Sequence, residues 1–309
     1  MRITAIDLHF QSTPGLIAAY LVESGGELAL IETGPGSTLA NLRAALKTQG
    51  VDENDIRKVF VTHVHLDHAG AAGWFAQNGA TIYCHPYAAR HLVDPSKLIE
   101  SARQVYQDQM DTLWGEMLPA PAERVVALKD GESVPFGEVS VIAWDTPGHA
   151  RHHHAFVIGG VCFAGDTAGM RLAGTNYLSV TAAPPQFDPV AYVASIDRLL
   201  AANFEKLYLT HFDAVPDVKA HLTAYRARIT EVHQRVAAWH AAGWSEAQIR
   251  EGYREAEHAL GLQCGLTSEQ WDRCEASNGT AMCADGVRLH CLKSAKAEKH
   301  PFGDGASYA

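Results

Sequence analysis

Between Val61 and Gly70 the chain reads VTHVHLDHAG, which places three histidines and an aspartate within six positions directly after the apolar stretch Val59-Phe60-Val61. Neutral imidazole and carboxylate suit divalent metal ions. Zinc fits best, with iron, manganese and cobalt as further fits, because selection among such ions turns on geometry and supply as much as on ligand type. His63 and His65, at alternate positions, can face one direction while the turn after them carries Asp67 and His68 toward a second point, so one short loop can serve two ions. Three more metal-capable residues follow apolar runs elsewhere: His149 after VSVIAWDTPG, Asp166 after GVCFAG and His211 after KLYLT. If those four runs are strands in sheets with a common edge, their ends converge, and strand ends beneath loops are where α/β enzymes usually keep their chemistry. Buried polar groups need partners, and so many at four strand ends would be hard to satisfy without an ion.

The elements that must position these residues are legible in the pattern. GLIAAYLVESGGELALIETG predicts a hairpin turning at Gly25-Gly26, and HAFVIGGVCFAGD a second one turning at Gly159-Gly160. STLANLRAALKTQG carries Leu39, Leu42 and Leu46 at helical spacing with Gly50 as its stop. DPSKLIESARQVYQDQMDTLWGEMLP is a mostly polar helical segment that interrupts the strand rhythm and is expected to be an insertion walling the site. From about Pro216 the β signals vanish. Val218, Leu222, Tyr225, Ile229, Val232 and Val236 recur near a helical period, and Ser245 with Gln248 and Thr267 with Gln270 fit capping boxes. The chain therefore divides into residues 1–215 and a helical appendage of residues 216–309. KHPFGDGASYA at the end is expected to fray.

Composition narrows the function classes. The chain has 309 residues, with 25 Lys plus Arg against 35 Asp plus Glu, so there is no global basic field for a phosphate backbone, and nucleic acid is not an expected partner. No window reaches the ~18 apolar residues of a membrane span. The start MRITAIDLHFQ alternates apolar with polar, unlike a signal peptide, and Cys84, Cys162, Cys264, Cys274, Cys283 and Cys291 form no C-x-x-C pair. A soluble, cytoplasmic protein with free thiols is the expectation. The last four cysteines lack the close pairs of a zinc site.

THVHLDH, TPGHA, GDT and LTH, in that order and with those gaps, resemble the metallo-β-lactamase superfamily, particularly its glyoxalase II-like and lactonase-like hydrolases, over roughly residues 1–215. The resemblance implies an α/β fold, a four-layer αββα sandwich, here with the C-terminal helical appendage. It implies one metal on His63, His65 and His149, a second on Asp67, His68 and His211, and Asp166 bridging them. Two such ions can lower the pKa of a shared water to give a bridging hydroxide near neutrality and polarise a scissile carbonyl. Asp67 has a second, catalytic role to play by orienting that hydroxide and accepting its proton. The expected activity is hydrolysis of a thioester, lactone or ester of a small molecule. Two alternatives stand beside it: a metal-binding regulatory or sensor protein of the same fold, and a phosphodiesterase or RNA nuclease.

Several residues are assigned around that set. Glu32, in IETGPG, stands where these hydrolases usually carry aspartate, and an acid there would fix the tautomer of a ligand imidazole after a small backbone retreat. Gly34 and Gly36 are turn glycines, since the context of a phosphate-binding loop is missing. His153, in the triplet His152-His153-His154, occupies the place of a second motif histidine and can line the site or orient a ligand, with an ordinary loop role as the alternative. His85 is expected to pack near the sheet. Arg171, Asn176 and Tyr177 could bind substrate or could belong to a solvated loop. The appendage is expected to cover the mouth of the site or to build a face for a homodimer.

Overall fold

The computed structural model describes residues 1–172 and 174–299. The expected fraying tail, apart from Lys299, lies outside them.

The first half of the chain builds one sheet. Strands β1 (Arg2–Asp7), β2 (Ala18–Ser24) and β3 (Glu27–Ile31) form an antiparallel meander, and helix α1 (Leu39–Thr48) carries the chain to β4 (Ile56–Phe60), which lies parallel to β3. Short helices α2 (Leu66–Ala69) and α3 (Ala72–Gln77) lead to β5 (Thr81–Cys84), and α4 (Pro86–Val93), α5 (Ser96–Tyr106) and α6 (Met110–Trp114) lead to β6 (Val125–Ala127). The sheet order is β1-β2-β3-β4-β5-β6. Gly25 and Gly26 at the β2–β3 turn have φ of 53° and 83°, the left-handed pair that a two-residue hairpin requires.

The second sheet follows from β7 (Ser133–Phe136), β8 (Val139–Asp145), β9 (His154–Ile158) and β10 (Val161–Phe163), then α7 (Pro189–Ala202), β11 (Lys206–Leu209) and β12 (Asp213–Ala214), in the order β12-β11-β10-β9-β8-β7. Helices α8 (Val218–Ala241), α9 (Glu246–Gln263), α10 (Ser268–Ser277) and α11 (Thr280–Lys299) complete the chain. Both expected capping boxes are formed, at the starts of α9 and α10.

Alternation along the strands makes the layers. In β2, Tyr20 and Val22 meet Phe60, Phe136, Phe156 and Phe163 between the sheets, whereas Ala19 and Leu21 face the cluster that contains Leu42 and Leu46 of α1. In β9, Phe156 and Ile158 point between the sheets, and Ala155 and Val157 pack with Ile196 and Leu199 of α7. Phe60 and Phe156 meet edge to face across the middle, with ring centroids 5.2 Å apart. The result is the four-layer αββα arrangement.

The helical region does not stand off from this body. Leu222, Tyr225, Ile229, Val232 and Val236 of α8 are buried in the same cluster as α7, together with Tyr253 of α9 and Val287 of α11. Trp271 and Cys274 of α10 reach the opposite cluster, against the first sheet's helical layer. The apolar faces read at helical spacing are thus covered within the chain itself.

Candidate metal centre

The ends of β4, β8, β10 and β11 lie at one edge of the sandwich, and the loops that leave them bring seven side chains together. His63, His65 and His149 form one group, and Asp67, His68 and His211 another, each with ligand atoms within 4.8 Å of one another. Asp166 lies between them. Its Oδ2 is 3.4 Å from His149 Nε2, while its Oδ1 is 3.2 Å from His68 Nε2 and 3.5 Å from His211 Nε2. One carboxylate therefore offers an oxygen to each group.

The outer nitrogens of the rings are committed, and this decides what the inner ones can do. His149 Nδ1 lies 2.9 Å from the carbonyl of Thr181, and His211 Nδ1 lies 2.9 Å from that of Leu16. A carbonyl only accepts, so both Nδ1 atoms carry the proton and Nε2 is left with its lone pair. His68 Nδ1 donates to Glu32 Oε1 at 3.0 Å, and His63 Nδ1 lies 3.0 Å from Thr62 Oγ1, whose own hydroxyl is bonded to Glu32. His65 instead turns Nδ1 inward, 2.9 Å from both His63 Nε2 and His149 Nε2.

This geometry tests the fit for a metal. His63 Nε2 and His149 Nε2 face each other at 3.2 Å, close to the roughly 3.3 Å between two nitrogens bound tetrahedrally to one zinc. Both carry lone pairs when the rings are neutral, and His65 Nδ1, the one ring nitrogen within reach of both, has a single proton at most to offer them. His68 Nε2 and Asp166 Oδ1 are buried without a hydrogen-bond partner. A cation in each group would give these atoms a partner, and the residues fit it.

Electrostatics agree. Burial, then neighbouring imidazoles, lower the pKa of His63 far below the ordinary range, burial brings His65 to about 3, and burial also lowers His149. These rings present lone pairs. Around the second group burial opposes charge but is outweighed: Asp67, Asp166 and Glu32 raise His68, and Asp166 and Asp67 raise His211. The carboxylates demand positive charge there, and a divalent ion supplies it.

Glu32 holds this edge together. It is 1% exposed, sits at φ 65°, and accepts from His68, Thr62 and Thr210. His153 lies behind the centre, where its Nε2 accepts the amide N–H of Asp166 at 3.1 Å and its Nδ1 meets Thr146 and Thr167. Gly165, at φ 51°, makes that approach possible, since a Cβ there would stand 2.7 Å from His153 Nε2.

Three residues singled out as possible substrate contacts are placed elsewhere. Tyr177 is buried with its hydroxyl donating to Glu257 at 3.0 Å, and Arg171 turns its guanidinium to the Thr175 carbonyl and to Asn176. None of the three lines the cavity over the centre. His85 caps α4 by accepting the Tyr87 amide N–H. Among the described residues no metal-capable cluster contains a cysteine.

Other residues around the centre were given no role in the sequence reading. His152 lines the cavity, with its ring 5.7 Å from that of His65. Tyr192 of α7 donates to the Asp166 carbonyl, and Tyr225 of α8 joins its hydroxyl and that of Thr181. Thr62 and Thr210 each directly precede a histidine of the centre and each reach Glu32; the repeated Thr-His pair was the available signal.

A cavity of about 380 Å³ opens over the centre. Leu98, Ala102 and Tyr106 of α5 wall one side, Pro184 and Pro185 another, and Met282 of α11 a third, with Tyr106 Oη 3.9 Å from Met282 Sδ across the mouth. Lys97 and His91 are the basic groups on its rim. The expected insertion is therefore a wall, and the helical region reaches the mouth.

Comparison with known proteins places this arrangement among relatives. The family model of the metallo-beta-lactamase superfamily matches residues 12–211. A metallo-beta-lactamase fold-containing protein of Sulfurisphaera tokodaii, ST1585, is 27% identical over 187 residues, covering 59% of this chain and 67% of that protein. An uncharacterized protein of Mycobacterium leprae, ML0493, is 33% identical over 138 residues, which is 41% of this chain and 59% of that one. Among solved structures, that of ST1585 superposes with a TM-score of 0.67 over 93% of this chain and 98% of its own, at 18% identity. The metallo-beta-lactamase family protein TTHA1429 of Thermus thermophilus gives 0.64 over 96% and 94%, at 20% identity. Both superpositions run well past residue 211, so the helical region is part of a shared fold.

Proposed function

Because the chain belongs to the metallo-beta-lactamase superfamily, we propose that it is a metal-dependent hydrolase with a dinuclear centre, acting on a thioester, lactone or ester of a small molecule. The observation that carries this reading is the division of the Asp166 carboxylate, with one oxygen toward His149 and the other toward His68 and His211. His63, His65 and His149 would hold one ion, Asp67, His68 and His211 the other, and Asp166 both. Zinc is the first choice for this donor set, and iron or manganese also suit it. Bound there, the ions supply an activated water and an electrophilic contact for the scissile carbonyl.

The protein's own residues divide the remaining work. Asp67 lies at the floor of the cavity with its side chain 17% exposed and Oδ2 3.2 Å from His211 Nε2, placed to orient the attacking water and to take its proton. Glu32 and the carbonyls of Thr181 and Leu16 hold three rings in the ligand tautomer. The apolar walls from α5, α11 and Pro184-Pro185 favour a small substrate with an apolar group, and they exclude water around the reacting carbonyl. A phosphodiester backbone finds few basic partners on that rim, which weighs against the nuclease alternative. The helical region serves as part of the lid.

A panel of thioesters, lactones, esters and phosphodiesters, assayed with protein of measured metal content, tests the reading. Turnover of a carbonyl substrate that disappears on chelation and returns with metal is expected. Metal-replete protein inert to the whole panel would leave a binding or sensing role.

A further inference from the structure

Beside the principal centre lies a second group of metal-capable side chains that belongs to neither ligand set. Asp145 ends β8 and His154 begins β9, facing each other as register partners across the sheet. The loop they bracket, residues 146–153, carries His149, His152 and His153. His85 follows β5, and its ring lies 4.6 Å from that of His154. One donor atom from each of His85, Asp145 and His154 lies within 4.8 Å of the others.

The group is left unsatisfied by the protein. His154 is fully buried, and neither of its ring nitrogens has a hydrogen-bond partner. Asp145 Oδ1 has none either; His85 Nε2 stands 3.3 Å away but outside hydrogen-bond geometry. A neutral imidazole always carries a donor and an acceptor, and leaving such atoms unpaired inside a protein is costly enough to call for a bound species. The nearby cation does not serve, since Arg198 Nη1 is engaged with Asp130 Oδ1 at 2.7 Å and the Asp145 carbonyl at 3.2 Å.

We propose that His85, Asp145 and His154 form a third divalent-cation site, suited to a borderline ion such as zinc, cobalt or copper. Two imidazoles and one carboxylate match those ions, whereas calcium and magnesium prefer oxygen donors. The Asp145 side chain is 40% exposed, which gives an ion a route in and leaves room for water to complete its coordination. An ion here ties the ends of β8 and β9 to the start of α4 and closes the neck of the loop that presents His149. Its role is to brace that loop.

Binding has a proton consequence. His85 Nδ1 accepts the Tyr87 amide N–H at 3.0 Å, so in the metal-free ring the proton is on Nε2. Coordination through Nε2 moves that proton to Nδ1 and releases the Tyr87 N–H from the helix cap. Occupancy and capping therefore compete, and this site binds more weakly than the principal one.

The test counts metal on the full-length protein. Asparagine is a good helix cap, so His85→Asn removes the imidazole while keeping α4 capped, and Asp145→Asn is a second, conservative change at a half-exposed position. Titration with Co(II), read by equilibrium dialysis and by the visible absorption of bound cobalt, is expected to give one equivalent fewer in His85→Asn than in wild type. Asp145→Asn should weaken that equivalent at least tenfold, and the Tyr87 amide should lose exchange protection as wild type takes up its last equivalent. Equal counts and spectra in wild type and both variants would overturn the proposal and leave water in the group. The result is a difference between chains with the same principal centre, so it stands whether that centre holds two ions, one or none.

Discussion

Glu257 in the helical region and Asp166 at the strand ends are both almost wholly buried, at 1% and 4% exposure, yet their surroundings differ in kind. Glu257 accepts two hydrogen bonds of 2.6 Å from Arg228, a longer one from Arg235 and one from Tyr177. Its charge is answered within the protein. Asp166 faces imidazoles that meet one another lone pair to lone pair, and its Oδ1 has no hydrogen-bond partner. The lesson is that burial of a charged group marks function only where the protein leaves the charge unbalanced. Consistency across local and global demands marks scaffold, and a local violation marks a site.

The largest effect expected from this contrast is at Asp166. Asp166→Asn keeps the size of the side chain but removes the charge shared by the two ligand groups, so turnover should fall by more than about 100-fold and bound metal should fall with it, while circular dichroism stays native. Wild-type turnover in that variant would place Asp166 outside the centre.

Glu257→Gln should do the reverse. It leaves Arg228 buried without its full counter-charge, and breaking such a pair costs about 3–5 kcal/mol. Urea unfolding should show that loss, with metal stoichiometry unchanged. If the variant loses metal but not stability, the two regions are not separate in the way described.

Acid sharpens the comparison through a group that is neither of these carboxylates. His221 of α8 donates to the Ala168 carbonyl at 2.8 Å, and burial, partly offset by that bond, lowers its pKa to about 4. The unfolded chain, with an ordinary value near 6.5, binds more protons than the folded one between these limits. The stability contribution is therefore complete above about pH 6.5 and declines as pH falls toward 4, with a slope of about 1.4 kcal/mol per pH unit for one such group. Metal-free His221→Gln should show a shallower decline across that window than metal-free wild type. Parallel curves would contradict it.

The smallest effect is expected at Tyr177. Its hydroxyl belongs to the Glu257 network, so Tyr177→Phe should cost about 1 kcal/mol and leave kcat/KM as it was. A selective fall in kcat/KM would return Tyr177 to the substrate site.

Much of this was legible in the sequence because it is local. Hairpins at Gly25-Gly26 and Gly159-Gly160, the capping boxes at Ser245 and Thr267, and the strand-end placement of His63, His149, Asp166 and His211 each follow from short patterns whose physics is complete within a few residues. Glu32 was legible only through the family resemblance, as the acid standing where these hydrolases usually carry aspartate. The place of Tyr177 was not legible, because its position in a loop after Asp166 says nothing about the buried glutamate 80 residues later that takes its hydroxyl.

The sequence by itself determined which residues could bind metal and which strands would present them, since ligand chemistry and strand period are properties of residue type and spacing. Only the tertiary structure decided that the two Asp166 oxygens separate between two groups and that Tyr225 of α8 supports the loop holding Asp166. It alone placed His85 beside Asp145 and His154, and Met282 opposite Tyr106 at the mouth. The physical reason is that these are contacts between segments distant along the chain. They are set by how layers pack and which faces are buried, and no short window of sequence carries that information.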